Sequence, residues 1–162
     1  MEKRIGWDDE VIWYIAYGSN INASRFQEYL DTMEGRPSMP ISQPFEIPFN
    51  IYFDRKSSRW NHAGVAFLDP TKPGFAYGKA YQFTVKQLYE LQQLEGSSWY
   101  SEIIEIGTLE GKRCFTFTQK YHDSRNKPDE EYLNKIKTGI SLTHTNISQK
   151  ETDLYILKIL DN

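Results

Sequence analysis

Residues 13–20 read Trp-Tyr-Ile-Ala-Tyr-Gly-Ser-Asn, an aromatic and apolar run that breaks at once into a turn. Residues 13–17 are short and apolar, which suits a buried strand. Gly18 permits a turn that a side chain would obstruct, and Asn20 or Asn22 can cap a helix expected over residues 22–32. A strand that passes through glycine into a helix N-terminus gathers unpaired backbone N–H groups at one point, which suits a carboxylate or phosphate. A plain strand-turn-helix corner carries the same local pattern, so both readings stand on these residues alone.

Downstream, Pro37, Pro40, Pro44 and Pro48 remove ladder donors, and the stretch reads as a loop or an interrupted edge strand, with one wall of a cleft as its functional possibility. Phe45, Ile47, Phe49, Ile51 and Phe53 alternate with less apolar positions, the period of a half-buried strand. The basic and polar stretch at residues 55–59 reads as a solvated hairpin loop that could touch an acidic substrate. Short strands are expected at residues 64–68 and 75–83. Thr84 with Gln87 predicts a capping box for a helix that carries Leu88, Leu91 and Leu94 on one face and ends at Gly96. Ile103, Ile104 and Ile106 mark another strand, and Glu110-Gly111 turns it into residues 114–117. Residues 126–130 open a further helix, with proline in its first turn and Gly139 at its end. Ser148 with Glu151 caps a last helix through Leu154, Leu157 and Leu160. Two strand-rich stretches with helices at the edges predict one α+β domain over residues 1–162, its mixed, mostly antiparallel sheet curled into a small β-barrel flanked by helices.

At 162 residues the chain can bury a core without staples. A net charge of −3, with no Lys/Arg run, argues against a nucleic-acid partner. Aromatic residues make up 15% of the chain, which suits aromatic-lined cavities. Cys114 stands alone, in sequence that reads as strand, and is expected to be a buried structural thiol. A polar, charged opening and the lack of a long apolar run set the expectation of a soluble, cytoplasmic protein without a membrane partner.

Few side-chain constellations point to chemistry. His62, His122 and His144 are far apart and lack ligand partners at the usual spacings, so no metal is expected. Ser19 lacks the second glycine of a G-x-S-x-G elbow, and no Gly-rich phosphate loop occurs. Glu95 is more informative. It falls at the C-terminal end of a predicted helix, facing the negative end of the helix dipole and without spare N–H donors. Both effects favour its protonated form and raise its pKa. Partial desolvation would let it accept and return a proton near neutral pH. An exposed glutamate beside a glycine cap is the alternative.

Residues 14–20 with Arg25 resemble the Y-x-A-Y-G-S-N signature of the gamma-glutamylcyclotransferase-like superfamily. A second stretch, with Tyr77-Gly78-Lys79-Ala80-Tyr81-Gln82-Phe83, Leu88, Leu91, Leu94-Glu95-Gly96 and Tyr100, resembles that family's G-x-x-Y-x-[LF]…L…L-[DE]-x-x-E-G…Y segment. Further similarities are His62 to Ala66 and the Pro128, Tyr132, Gly139 series. The resemblance implies that Glu95 is the catalytic acid/base and that Tyr14, Ile15, Ala16, Tyr17, Gly18, Ser19 and Asn20 hold the substrate. Tyr100 and Tyr132 would line the pocket. It also implies a small-molecule gamma-glutamyl substrate, closed internally to 5-oxoproline with release of an amine or amino acid, and neither metal nor organic cofactor. Gln92 departs from the pattern where an acid is common, and residues 141–162 carry no family feature. A same-fold enzyme acting on a gamma-glutamyl amine or a larger biosynthetic intermediate, and a non-catalytic small-molecule-binding relative, are the alternatives. The oligomeric state is left open.

Overall fold

A computed structural model describes residues 4–162. Its strands are β1 (Val11–Ala16), β2 (Ser42–Ile47), β3 (Asn50–Ser57), β4 (Ala63–Asp69), β5 (Ala76–Thr84), β6 (Glu102–Leu109) and β7 (Lys112–Thr118). The helices are α1 (Ala23–Leu30), α2 (Val85–Glu95), α3 (Glu130–Thr143) and α4 (Gln149–Asp161). Five strands build one mixed sheet in the order β2-β5-β1-β7-β6, and β3 and β4 form a separate two-stranded sheet. β1 is antiparallel to β5 and parallel to β7, so the aromatic strand lies at the centre with both faces covered. That position explains its unbroken apolar run. Ile12 and Ile15 are fully buried, and Tyr14 stacks on Phe26, Tyr81 and Phe83.

The fold is mixed α+β with a curled sheet, but the expected barrel does not close. Where β4 approaches β7, a side chain replaces the ladder. The Thr118 hydroxyl donates to Leu68 O (2.6 Å) and accepts from Leu68 N–H (3.1 Å). Farther along β4, the Ala66 N–H donates to the Tyr132 hydroxyl (2.9 Å) and the Tyr100 hydroxyl donates to Ala66 O (3.0 Å). Three hydroxyl groups thus satisfy this edge, and the two sheets stay distinct.

The alternating run from Phe45 to Phe53 is not one strand. It divides after Ile47, because Pro48 has no N–H to offer a ladder. β2 then joins the large sheet as an edge strand that tolerates Pro44, whereas β3 pairs with β4. On β3, Ile51, Tyr52, Phe53 and Asp54 are all buried, so both of its faces are covered. Residues 55–59 are not a solvated hairpin loop either. β3 continues to Ser57 and a 3-10 turn spans Ser58–Trp60.

Both predicted capping boxes form, at Thr84/Gln87 and at Ser148/Glu151. The start of α3 differs from expectation: Asp129 is its N-cap, so Pro128 precedes the helix rather than occupying its first turn. Gly139 does not end it. A Cβ there would lie 2.7 Å from the backbone N of Asn22 and the carbonyl carbon of Ile21, so this glycine lets the helix press against the turn that follows β1. On α4 the buried residues are Thr152, Tyr155 and Ile159, while Leu154 and Leu157 face outward. Cys114 is fully buried, and burial pushes its thiol up to about 11. Among the described residues, no helix is long and apolar enough to cross a membrane.

Candidate active site

β1 delivers the chain into a 3-10 turn over Ser19–Ile21 and then into α1. Asn22 is the residue that caps α1, its side chain accepting from the Arg25 N–H at 3.1 Å. Gly18 has φ −110°, so its role is clearance rather than a left-handed turn. A Cβ would sit 2.9 Å from the Tyr132 hydroxyl oxygen. The backbone of the turn is pinned from below, where the Tyr81 hydroxyl donates to Asn20 O at 2.8 Å. The Ser19 N–H meets the Tyr132 hydroxyl.

α2 descends toward this turn and stops at Gly96, whose φ of 106° few other residues adopt. Gly96 O accepts from Trp99 and Tyr100 N–H, which folds the following residues back over the helix end. Gln92, standing where an acid was expected, is buried and donates to Tyr100 O at 2.8 Å, which fixes that return. Glu95 is therefore the last helical residue and meets Asn20 directly, the Asn20 amide donating to its Oε1. The two distant sequence motifs converge on one point.

That point lies in a cleft of about 520 Å³. Of the predicted residues, Tyr14, Tyr17, Gly18, Ser19, Asn20, Glu95, Tyr100 and Tyr132 line it. Ile15 and Ala16 do not: both are buried in β1 at 0% and 1% exposure and serve the core. The walls are completed by Tyr29 from α1 and Trp60 from the 3-10 turn after β3, which local sequence reading missed, and by Arg59 of the same turn, from the basic stretch that could touch an acidic substrate. The Tyr29 hydroxyl accepts from Arg25 Nη2 (3.1 Å) and Arg59 Nη1 (2.6 Å), so it gathers two guanidinium groups at the cleft. Arg25 is also bound to Glu28 at 2.6 Å. Among the described residues, Arg59 has no carboxylate within salt-bridge distance.

Burial raises the Glu95 carboxyl from 4.5 to about 7, against the opposing pull of the Asn20 hydrogen bond, the Arg25 and Arg59 charges and the Tyr14 hydroxyl. The upward direction matches the sequence expectation, but the cause differs. Desolvation dominates, and the carboxyl does have a donor, Asn20. Tyr14, Tyr17 and Tyr100 are held well above the ordinary phenol range by burial, so each is a neutral hydrogen-bonding group at any working pH. Among the described residues no group of three or more His, Cys, Asp or Glu side chains is placed to hold a metal ion.

No family model matches the chain. A gamma-glutamylcyclotransferase of Mus musculus is 26% identical over 148 residues, spanning 85% of this chain and 74% of its own. A solved structure of a gamma-glutamyl cyclotransferase shares the fold with a TM-score of 0.70 at 22% identity, over 89% of this chain and 87% of that one. The chain is thus similar to gamma-glutamylcyclotransferases in sequence and in fold. Another neighbour in that fold is a yeast gamma-glutamyl cyclotransferase specific to glutathione, with a TM-score of 0.53 at 16% identity over 93% and 94% of the two chains. Only the basic half of the Tyr29–Arg59 wall was visible in the sequence, as residues 55–59 that could touch an acidic substrate. Three cations, Arg55, Lys56 and Arg59, fall within five residues just before the His62 to Ala66 similarity.

Proposed function

We propose that the protein is a gamma-glutamyl cyclotransferase, releasing 5-oxoproline and an amino acid or amine from a small gamma-glutamyl substrate. The observation that carries this reading is the contact between Glu95 and the 18–20 turn at a cleft, with the carboxyl held near neutrality. In the reaction the substrate's α-ammonium gives one proton to Glu95. The freed amine attacks its own γ-carbonyl carbon and closes a five-membered ring. The amide C–N bond then breaks as Glu95 returns the proton to the departing nitrogen, and the ring nitrogen's remaining extra proton passes by the same carboxylate to the released amine, which leaves as an ammonium and frees the carboxylate for the next cycle. A group that must both take and release a proton works best with a pKa near the working pH. Because amine and carbonyl share one short chain, the cleft has only to hold the bent conformer.

Backbone N–H groups of the turn and the hydroxyl of Tyr132, which accepts from Ala66 N–H and keeps its own hydrogen, are the natural partners for substrate oxygens as negative charge develops. The scheme uses protein side chains alone. Arg59, cationic and without a carboxylate partner, favours a leaving group that carries a carboxylate, such as an amino acid, over a neutral amine. That observation ranks the amino-acid reading above the gamma-glutamyl-amine reading. A panel of gamma-glutamyl amino acids, amines and larger conjugates, assayed for 5-oxoproline release, tests the assignment. Glu95→Gln is expected to keep the fold and lose about 10²- to 10⁴-fold in turnover. A variant that retains near-native release removes Glu95 from the role.

A further inference from the structure

Asn20 carries an imbalance that its burial makes informative. Its side chain is 5% exposed. The amide nitrogen donates both to Glu95 Oε1 and to the Tyr14 hydroxyl, the latter at 3.1 Å, while Oδ1 is buried with no partner among the described residues. A buried orphan acceptor is unfavourable, and turning the amide over would bring Oδ1 to the Tyr14 hydroxyl hydrogen. The same turn would set Oδ1 against Glu95. An ionised carboxylate only accepts, so it requires the nitrogen on its side. The orientation present is the one an ionised Glu95 demands, held at the expense of Oδ1.

We infer that Asn20 is a positioning residue that sets the proton affinity of Glu95 and directs the proton, when it arrives, to Oε2. Oε1 already accepts a hydrogen from Asn20, which lowers its basicity and leaves Oε2 the favoured site for the proton. Each proton leaving the substrate nitrogen passes to Oε2 and from Oε2 to the departing nitrogen; two such passes turn the ammonium into the lactam N–H and release the amine as an ammonium, so atoms and charge balance over the cycle. This place in catalysis rests on the cyclotransferase reading, whereas the control of Glu95 does not.

The other groups facing Glu95 work differently. Tyr14 and Tyr17 approach from β1 and the turn, Arg25 and Tyr29 from α1, Arg59 from the turn after β3, Tyr100 from beyond α2, and Tyr132 from α3. Arg25 and Arg59 act through charge and the Tyr14 hydroxyl through a weaker hydrogen bond, and among the described residues Asn20 is the one amide donor on the carboxyl.

The test follows the titration of Glu95 directly, by the carboxyl ¹³C shift in protein labelled at glutamate and assigned with Glu95→Gln. In Asn20→Ala the midpoint should rise by about one pH unit, leaving about tenfold less carboxylate at pH 6. In Asn20→Asp, where a second carboxylate replaces the donor, the rise should be larger. A midpoint unchanged in folded Asn20→Ala overturns the inference. The native protein supplies a readout that needs no variant: the Asn20 side-chain ¹⁵N signal should shift with the same midpoint as Glu95, and a signal flat through that midpoint also overturns it. Turnover is measured separately on the gamma-glutamyl panel. Moved midpoints without 5-oxoproline release would retire the cyclotransferase reading and keep this one.

Discussion

Replacing Glu95 by glutamine should make the protein more stable, and by an amount that depends on pH. In the native protein burial lifts this carboxyl from 4.5 to about 7. Between those two values the folded state holds a proton that the unfolded chain has lost, so native stability falls as pH rises through that window. Below about pH 4 both states are protonated and the group costs nothing; above about pH 8 both are ionised and the cost is complete, about 3 kcal/mol. Glutamine fills the same space without titrating, and its side-chain oxygen can still accept from Asn20. The difference in unfolding free energy between variant and native should therefore grow from near zero at about pH 4 to about 3 kcal/mol in the variant's favour at about pH 8.5. Urea unfolding of both proteins at several pH values measures it, and contributions from other groups cancel in the difference. A gap that stays constant with pH would refute the desolvated carboxyl, because such a gap would reflect packing rather than a proton. The same variant should be the one that loses turnover, so stability and activity should move in opposite directions.

Arg59→Ala should raise KM about tenfold for gamma-glutamyl amino acids and leave neutral gamma-glutamyl amines nearly unchanged, as steady-state kinetics on matched pairs will show. Gly139→Ala should destabilise by about 1–3 kcal/mol in urea unfolding although alanine is the better helix former, because its Cβ would press on the 3-10 turn. Asp54, fully buried, is pushed up by burial but held below its usual 3.8 by N–H donors from Ser124, Asp123 and Arg55 and by the Gln119 amide. Its stabilisation is complete above the unfolded value of 3.8 and is lost as pH falls through the lower folded one. Asp54→Asn should cost about 1–3 kcal/mol at neutral pH, and the deficit relative to native should shrink in acid unfolding.

Features legible in the sequence were those written in neighbouring residues. The strand into Gly18, the Thr84/Gln87 and Ser148/Glu151 boxes and the Glu95-Gly96 helix end each depend on contacts within a few positions. The division at Pro48 was misread because the alternation of Phe45, Ile47, Phe49, Ile51 and Phe53 continues across it, while the strands on either side join different sheets. Gly139 was misread because a glycine near a helix end has two uses, and only the approach of Ile21 and Asn22 distinguishes them. Leu154 and Leu157 show the limit of periodicity, since α4 turns Tyr155 and Ile159 inward instead. The cleft was half visible. Glu95 and the turn carry recognisable motifs, whereas Arg59 reaches the site only because β3 runs on to Ser57 and delivers the next turn against Tyr29.

The hairpin of β3 and β4 meets its surroundings through hydroxyls in place of a continuous ladder, that of Thr118 from the large sheet, that of Tyr100 from beyond α2 and that of Tyr132 from α3. A seam of that kind transmits little register from one side to the other. Insertions or exchanges in the hairpin can re-contour the wall that carries Arg59 without displacing the carboxylate and turn opposite. Under the proposed cyclotransferase reading, selectivity in this architecture is free to drift independently of the proton chemistry.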